Sequence, residues 1–148
     1  MVVNEKATKI AASAERVWTL FSTQHGQRLA GRGYVAEMVF TGEGLGMVRT
    51  MRTEGHLGDT TVKERCDHYD EKNMEIMYQI VDTGGFVPFA DYRGFAKVIR
   101  AGSNACVLML RSTFIPVDMS EADAKAISEK NFELFFANVR AAVEAGDI

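Results

Sequence analysis

Apolar and polar residues alternate along most of this chain, and the two-residue period predicts a strand-rich protein. Residues 4–11 predict a first strand. Six more strand-like runs, separated by turn residues, follow from residue 34: YVAEMVFT, GMVRTMRT, DTTVKERCDH, MEIMYQIVD, ADYRGFAKVIR and ACVLMLRSTFIP. The short loops between them indicate an antiparallel sheet, which can face water on one side and pack against a helix on the other.

Three segments have helical patterns instead. SAERVWTLFST begins with Ser13 at a cap position and predicts a short helix, and QHGQRLAGRG is compatible with a second one. A long helix is predicted from Ser120 to about Ala145, where Ser120 and Asp123 form a loose capping box. One broad arc of this helix is apolar: Ile127, Phe132, Leu134, Phe135, Val139 and Ala142. The sequence therefore predicts an α+β domain whose sheet packs on its last helix.

Glu64 is the exception to the alternation. It falls on the same strand face as its apolar neighbours Val62 and Cys66, while the polar residues between them take the opposite face. A carboxylate on an apolar face needs a partner or a function.

Turn chemistry predicts that partner. If Glu54 pairs with Asp59 across EGHLGD, then Arg49 lies directly opposite Glu64. The same register sets Met47 opposite Cys66 and Met51 opposite Val62. A three-residue loop ending at Asn73, in the left-handed conformation, would then place Tyr78 opposite Cys66 and Ile80 opposite Glu64. Two interpretations of Glu64 stay open: it is a structural counter-ion for Arg49, or it is an acid–base group.

Composition and charge narrow the function. The chain has 148 residues, 47% of them apolar, which is typical of a single soluble domain. A net charge of −3 and the lack of a Lys/Arg-rich block argue against nucleic-acid binding. No signal-peptide or membrane-spanning run is evident, so we expect a cytoplasmic protein with no integral membrane contact. Cys66 and Cys106 are expected to be buried and reduced, although a disulfide remains possible if their strands meet.

Motifs for nucleotide, zinc and serine-hydrolase chemistry are missing from the sequence. We therefore expect no metal and no cofactor.

The stretches ASAERVWTLFS, GEGLGMVRT, VKERCDHYD, MYQIVD and FADYRGFAKV, with the long closing helix, resemble the START-like, helix-grip superfamily. Within it, the resemblance is to the polyketide cyclase/dehydrase and lipid-transport branch (SRPBCC), and it covers residues 4–145. It implies a seven-stranded antiparallel sheet curled around the C-terminal helix, with two short helices after the first strand and an elongated cavity between. Members bind hydrophobic or aromatic small molecules, and some catalyse cyclisation, aromatisation or dehydration.

The resemblance also implies site residues. The family's Gly-x-x-Arg segment matches Gly46 to Arg49, its Glu-Arg strand matches Glu64-Arg65, and its strand tyrosines match Tyr78 and Tyr92. This chain has LAGRGY where many relatives have Trp-x-Pro, and Leu110 where many have tryptophan. Both differences imply a larger or differently opened cavity.

Other candidates come from the residues themselves. Tyr92 shares a strand face with small residues that leave room for a ligand, although a buried core tyrosine is the alternative. His25, after the first helix, is a reserve acid–base group, although a solvated histidine is more common. Asn131 and Asn138 either bond to backbone and water or line the cavity. The loop DTGGFVPFAD acts either as a lid or as a cover for the core edge.

We therefore expect a cavity that holds a hydrophobic or aromatic small molecule in a carrier or binding protein, acting as a monomer or homodimer. The alternative is a cyclase, aromatase or dehydratase in which Glu64 moves a proton while Arg49 and Tyr78 or Tyr92 stabilise an enolate. The expected ligand-binding residues are Met47, Met51, Cys66, Leu110, Asn131, Phe135 and Asn138.

Overall fold

The computed structural model describes residues 1–85 and 87–148. Its helices and strands follow the order β1 (Val2–Ile10), α1 (Ala14–Ser22), α2 (Gln24–Ala30), β2 (Val35–Thr41), β3 (Val48–Thr53), β4 (Thr61–Asp70), β5 (Glu75–Asp82), β6 (Phe89–Arg100), β7 (Cys106–Pro116) and α3 (Glu121–Ala145). A short 3₁₀ turn, Gly55–Leu57, joins β3 to β4. All the predicted elements are present, with bounds within three residues of the prediction.

The seven strands form one open antiparallel sheet in the order β1-β7-β6-β5-β4-β3-β2. Strands β2 to β7 pair with their sequence neighbours, whereas β1 lies beside β7 at the far edge. The long helix α3 packs against the inward face of the sheet through Phe132, Val139 and Ala142. This is the helix-grip fold that the resemblance implied.

Side-chain caps fix the ends of the helices. Ser13 accepts a hydrogen bond from the backbone N–H of Arg16, and Ser120 does the same for Asp123, as predicted. Thr23 ends α1 and begins α2: its hydroxyl donates to Thr19 O and accepts from the N–H of Gly26. One residue therefore makes the sharp corner between the two short helices.

The core lies between the inward sheet face and the three helices, and its largest fully buried side chains include Ile10, Leu20, Ile76, Leu108 and Phe114. Both cysteines are buried and free, as expected. Among the described residues, no helix has the length and apolarity needed to cross a bilayer.

The predicted register of the β3–β4 hairpin is confirmed. Arg49 pairs with Glu64 and Met51 with Val62. The N–H of Cys66 donates to Met47 O at 2.8 Å, so the third predicted pair is also opposed.

The predicted turn between β4 and β5 is wrong, although the register beyond it is right. Asp70 pairs with Glu75, so the loop has four residues, and Met74 rather than Asn73 takes the left-handed conformation, with φ 53°. A β-bulge between Cys66 and His68 adds one residue to β4 and cancels the difference. Cys66 therefore faces Tyr78, and Glu64 faces Ile80, as predicted.

The bulge also reverses which residues of β4 point inward. Beyond it, Tyr69 packs on Trp18 in the core, with ring centroids 5.7 Å apart, while the half-exposed His68 contacts Glu75. Strict alternation along β4 would instead put His68 on the same face as Glu64.

Gly26 lies where α2 crosses α1, and this contact leaves no room for a side chain. A β-carbon there would lie 2.7 Å from the Leu20 Cα and closer still to Thr19 O. Gly26→Ala would normally favour a helix, but here we expect overpacking to cost about 1–3 kcal/mol. Thermal unfolding should show a lower Tm for Gly26→Ala than for Gln24→Ala, an exposed position in the same helix. An unchanged Tm for Gly26→Ala would mean that the two helices separate freely.

Candidate functional site

A cavity of about 170 Å³ lies between the inward face of the sheet and helices α2 and α3. A dry protein cavity of about 150 Å³ is known to hold one benzene ring, so the space suits a single aromatic ring. Eight of the predicted site residues line it: Arg49, Met51, Glu64, Tyr78, Tyr92, Leu110, Asn131 and Phe135.

An ion pair crosses the sheet wall of this cavity. Arg49 on β3 donates from Nε and Nη2 to a single oxygen of Glu64 on β4, at 2.9 and 2.5 Å. The side chains are only 20% and 10% exposed, respectively. Every hydrogen bond that the described residues donate to Glu64 goes to Oε2. Its other oxygen, Oε1, accepts none of them, and Glu64 lines the cavity.

Gln27 on α2 ties this pair to the helices. Its Oε1 accepts hydrogen bonds from Arg49 Nη1 at 3.0 Å and from the Tyr78 hydroxyl at 3.2 Å, and its Nε2 donates to Phe21 O at 2.9 Å. The guanidinium carbon of Arg49 also lies 3.7 Å from the centre of the Tyr78 ring. Arg49 is thus held at its edge by Glu64, at its tip by Gln27 and on its face by Tyr78.

Burial and pairing set the protonation of these groups. Burial alone would lower the pKa of Arg49, but the Glu64 carboxylate outweighs it and raises that pKa above its usual range. Burial also raises the pKa of Tyr34, Tyr78 and Tyr92, and the Arg49 charge only partly opposes this. The cavity therefore has a charged ion pair and neutral phenol groups, which donate hydrogen bonds at neutral pH.

Tyr92 lies at the opposite end of the wall, on β6. Its ring packs with Phe89 and Phe114, with centroids 5.7 and 6.0 Å away. It leans over Gly94, where a β-carbon would lie 3.4 Å from the tyrosine hydroxyl. A glycine at this point leaves the tyrosine ring room to lie along the cavity.

The turn between β3 and β4 closes another side of the cavity. Nε2 of His56 in this turn lies 2.5 Å from Oδ1 of Asn131 on α3, and the two atoms share a hydrogen bond. Leu57 from the turn and Tyr34 from the segment before β2 line the cavity beside it. Gly55 has φ +64° and lies so close to Gly33 O that a β-carbon would be 2.6 Å from that oxygen.

Four predicted site residues lie away from the cavity. Met47 and Cys66 are buried in the core, and Cys66 Sγ donates to His68 O at 3.3 Å. Asn138 donates to the carbonyl oxygens of Ala30 and Arg32, just past the end of α2. The two asparagines thus divide between the two expectations: Asn131 lines the cavity, and Asn138 bonds to backbone.

His25 is the fourth residue. It is on the exposed side of α2, and it is absent from the described residues that line the cavity. The expected role as a reserve acid–base group has no geometric support, because a solvent-facing imidazole is not beside the ion pair.

The 82–91 loop contributes to the site at its end. Val87 and Phe89 line the cavity. Phe86, the first aromatic residue in the predicted lid, lies outside the described residues.

The sequence patterns did not predict three residues near the cavity: Gln27, Tyr34 and His56. Gln27 lies in a short glycine-containing segment with weak periodicity, and only the fold reveals that its amide is buried. The alternating pattern predicts Tyr34 as the first residue of a strand, but it lies in the turn before β2. His56 lies in the turn between β3 and β4, and its contact with Asn131 joins positions 75 residues apart, which local patterns do not reveal.

One group of metal-ligating side chains lies on the outer face. Ligand atoms of His68, Asp70 and Glu75 lie within 4.8 Å of one another. Glu75 already pairs with Lys97 at 2.6 Å and with His68 at 3.1 Å. The lysine ammonium neutralises the carboxylate that a metal ion would need.

The fold agrees with the comparison to known families. The chain matches the family described as "Polyketide cyclase / dehydrase and lipid transport" over residues 1–144 and belongs to that family. No curated protein sequence matches the chain.

Solved structures with the same fold are distant in sequence. The protein XoxI from Bacillus cereus is 21% identical, with a TM-score of 0.81 over 96% of this chain and 95% of its own. The Zhui aromatase/cyclase from Streptomyces sp. R1128 is 18% identical, with a TM-score of 0.81 over 97% and 93%. Norcoclaurine synthase from Thalictrum flavum, in complex with dopamine and hydroxybenzaldehyde, is 17% identical, with a TM-score of 0.71 over 97% and 87%. At these identities the likeness concerns the fold.

The burial of the Arg49–Glu64 pair predicts how stability responds to its removal. Glu64→Gln leaves the guanidinium without a counter-charge and should cost about 3–5 kcal/mol. This corresponds to a fall in Tm of roughly 10 °C. The double variant Arg49→Met with Glu64→Leu should recover most of that loss, because it removes both charges together.

Glu15 and Arg100 offer a matched control, since their side chains pair at 2.6 Å but are 61% and 59% exposed. Glu15→Gln should leave the Tm unchanged within error. Equal effects of Glu15→Gln and Glu64→Gln would contradict a role for burial.

Proposed function

We propose that this protein binds a hydrophobic or aromatic small molecule in the cavity between sheet and α3, as a binding or carrier protein. The observation that carries this proposal is the composition of the cavity wall. Most of the lining is apolar or aromatic, and Arg49, Glu64 and Gln27 form one hydrogen-bonded polar cluster within it. Ligand sites have this design: apolar walls supply affinity, and a few polar groups fix orientation.

The size of the space limits the ligand. At about 170 Å³ the cavity is below the usual range of roughly 300–1,000 Å³ for drug-sized ligands. The ring of Phe135, stacked on Phe21 with centroids 5.6 Å apart, and the ring of Tyr92 offer flat apolar surfaces. We therefore expect a ligand whose buried part is about one aromatic ring. Two buried free cysteines are in keeping with a reducing, cytoplasmic setting.

The free oxygen of Glu64 favours a second candidate, an enzyme of the cyclase, aromatase or dehydratase type. In this mechanism Glu64 Oε1 takes a proton from a carbon next to a carbonyl group. Arg49 and a neutral hydroxyl of Tyr78 or Tyr92 stabilise the resulting enolate oxygen. Glu64 then donates this proton to the β-hydroxyl group of the substrate. That group leaves as water while the enolate forms the carbon–carbon double bond. The Zhui aromatase/cyclase and norcoclaurine synthase have the same fold, and the former is named for such chemistry.

Turnover distinguishes the two candidates. A β-hydroxyketone that carries one aromatic ring should bind in either case. Loss of water from it, followed by mass spectrometry, would occur only in an enzyme, and Glu64→Gln should abolish that turnover while the neutral substrate still binds. Binding without dehydration by the unmodified protein would support the carrier and end the enzyme proposal for this substrate class.

Filling the cavity tests the binding proposal directly. Ala96 is buried and lines the cavity, so Ala96→Leu places three extra carbon atoms in empty space. We expect Tm to be retained or raised and binding of benzyl alcohol, measured by ligand-observed NMR, to be lost. The control Ala7→Leu adds the same volume at an exposed position of β1 and should leave binding intact.

Leu110→Phe fills the same space from β7 and serves if Ala96→Leu is poorly folded. Benzyl alcohol binding equally to the unmodified protein and to the filled variants would place the ligand elsewhere and contradict the proposal.

A further inference from the structure

The charged groups inside the cavity form one ion pair, and this restricts what the cavity accepts. Among the described lining residues, the charged ones are Arg49, Glu64 and Arg111. Arg111 is half exposed on the outer side of the sheet, where it faces Glu5 at 3.8 Å. The cavity interior therefore holds one positive and one negative group in direct contact.

The geometry of Arg49 removes the positions that a ligand carboxylate would use. A guanidinium recognises a carboxylate best through two parallel N–H groups on one edge. In Arg49 the Nε and Nη2 edge already donates to Glu64 Oε2. The Tyr78 ring covers one face of the group, and Gln27 takes Nη1. An anionic ligand would therefore compete with Glu64 and Gln27 for the guanidinium and would meet the negative charge of Glu64 beside it.

The ion pair also disfavours a cationic ligand. Glu64 Oε1 is free to accept a hydrogen bond, but the carboxylate charge is already balanced by Arg49 at the other oxygen. A cationic ligand would therefore lose its hydration without gaining a net opposite charge. A neutral hydroxyl group loses less on burial and finds its acceptor in Glu64 Oε1.

We propose that Glu64 is a specificity-determining residue that masks Arg49, so that the cavity selects neutral one-ring ligands with a hydrogen-bond donor and rejects carboxylates. This inference rests on the proposed binding function and adds the chemical class of the ligand. It treats the ion pair as a charge filter in the cavity wall. Loss of either partner changes the charge that the cavity prefers.

Three probes of nearly equal shape test the filter: benzyl alcohol, which is neutral, benzoate, which is anionic, and benzylamine, which is cationic at neutral pH. For the unmodified protein, ligand-observed NMR titrations should give a Kd for benzyl alcohol at least tenfold lower than for either ion. Failure of all three probes to bind would overturn the proposed function itself. Benzoate binding as tightly as benzyl alcohol would overturn the filter alone.

Two variants then invert the selection. Glu64→Gln should lower the Kd of benzoate at least tenfold, so that benzoate binds more tightly than benzyl alcohol. Arg49→Met should lower the Kd of benzylamine at least tenfold and leave benzoate excluded. Either variant decides the question if the other is too unstable to titrate, and titrations at 10 °C extend the usable range.

Glu37 supplies the matched control. It pairs with Arg52 on the exposed side of β2, so Glu37→Gln changes the net charge of the protein by the same amount without touching the cavity. This variant should keep the selectivity of the unmodified protein. A gain in benzoate affinity for Glu37→Gln equal to that for Glu64→Gln would assign the effect to overall charge and refute the filter.

Discussion

The structure depends on one salt bridge whose geometry is set by strand register. Arg49 and Glu64 occupy one rung of the β3–β4 ladder, so the backbone itself holds their side chains side by side on the inward face. Burying two charges is favourable only when their remaining hydrogen-bonding groups also find partners. Gln27 and Tyr78 supply those partners for the arginine, whereas the second oxygen of the glutamate accepts no hydrogen bond from the described residues. The requirement to satisfy Arg49 therefore draws α2, β3, β4 and β5 together around one point.

The cavity exists because the elements around that point cannot close on it. Gly94 and Ala96 have small or no side chains, so the inward face of β6 leaves empty space above it. Tyr92 leans over Gly94 and does not fill this space. The contact between Gly55 and Gly33 brings the β3–β4 turn against the segment before β2, so that Leu57 and Tyr34 close this side of the cavity. Small residues thus create the empty volume, and aromatic residues give it flat walls.

Sequence reasoning recovered the sheet, the three helices and the Arg49–Glu64 pair, because each depends on local rules. Period-two alternation sets the inward face of a strand, and a six-residue turn sets the register of a hairpin. The same rules failed at Asp67, where a bulge reversed the facing of His68 and Tyr69, since a bulge costs little and leaves no fixed sequence signature. They also missed Gln27 and the His56–Asn131 bond, because these contacts depend on how α2 and α3 lie over the sheet. Long-range packing, rather than local propensity, placed those groups.

The Arg49–Glu64 pair also limits how this sequence can change over time. The two positions are 15 residues apart in the chain but share one ladder position, so neither side chain has an environment of its own. A domain of this size has a free energy of unfolding of roughly 5–15 kcal/mol. A sequence in which only one of the two residues has changed would lose much of it, because it buries an unpaired charge. Lineages that descend from this protein must therefore exchange both residues together or keep both. Among its relatives, positions 49 and 64 should accordingly covary, even where the rest of the cavity wall diverges.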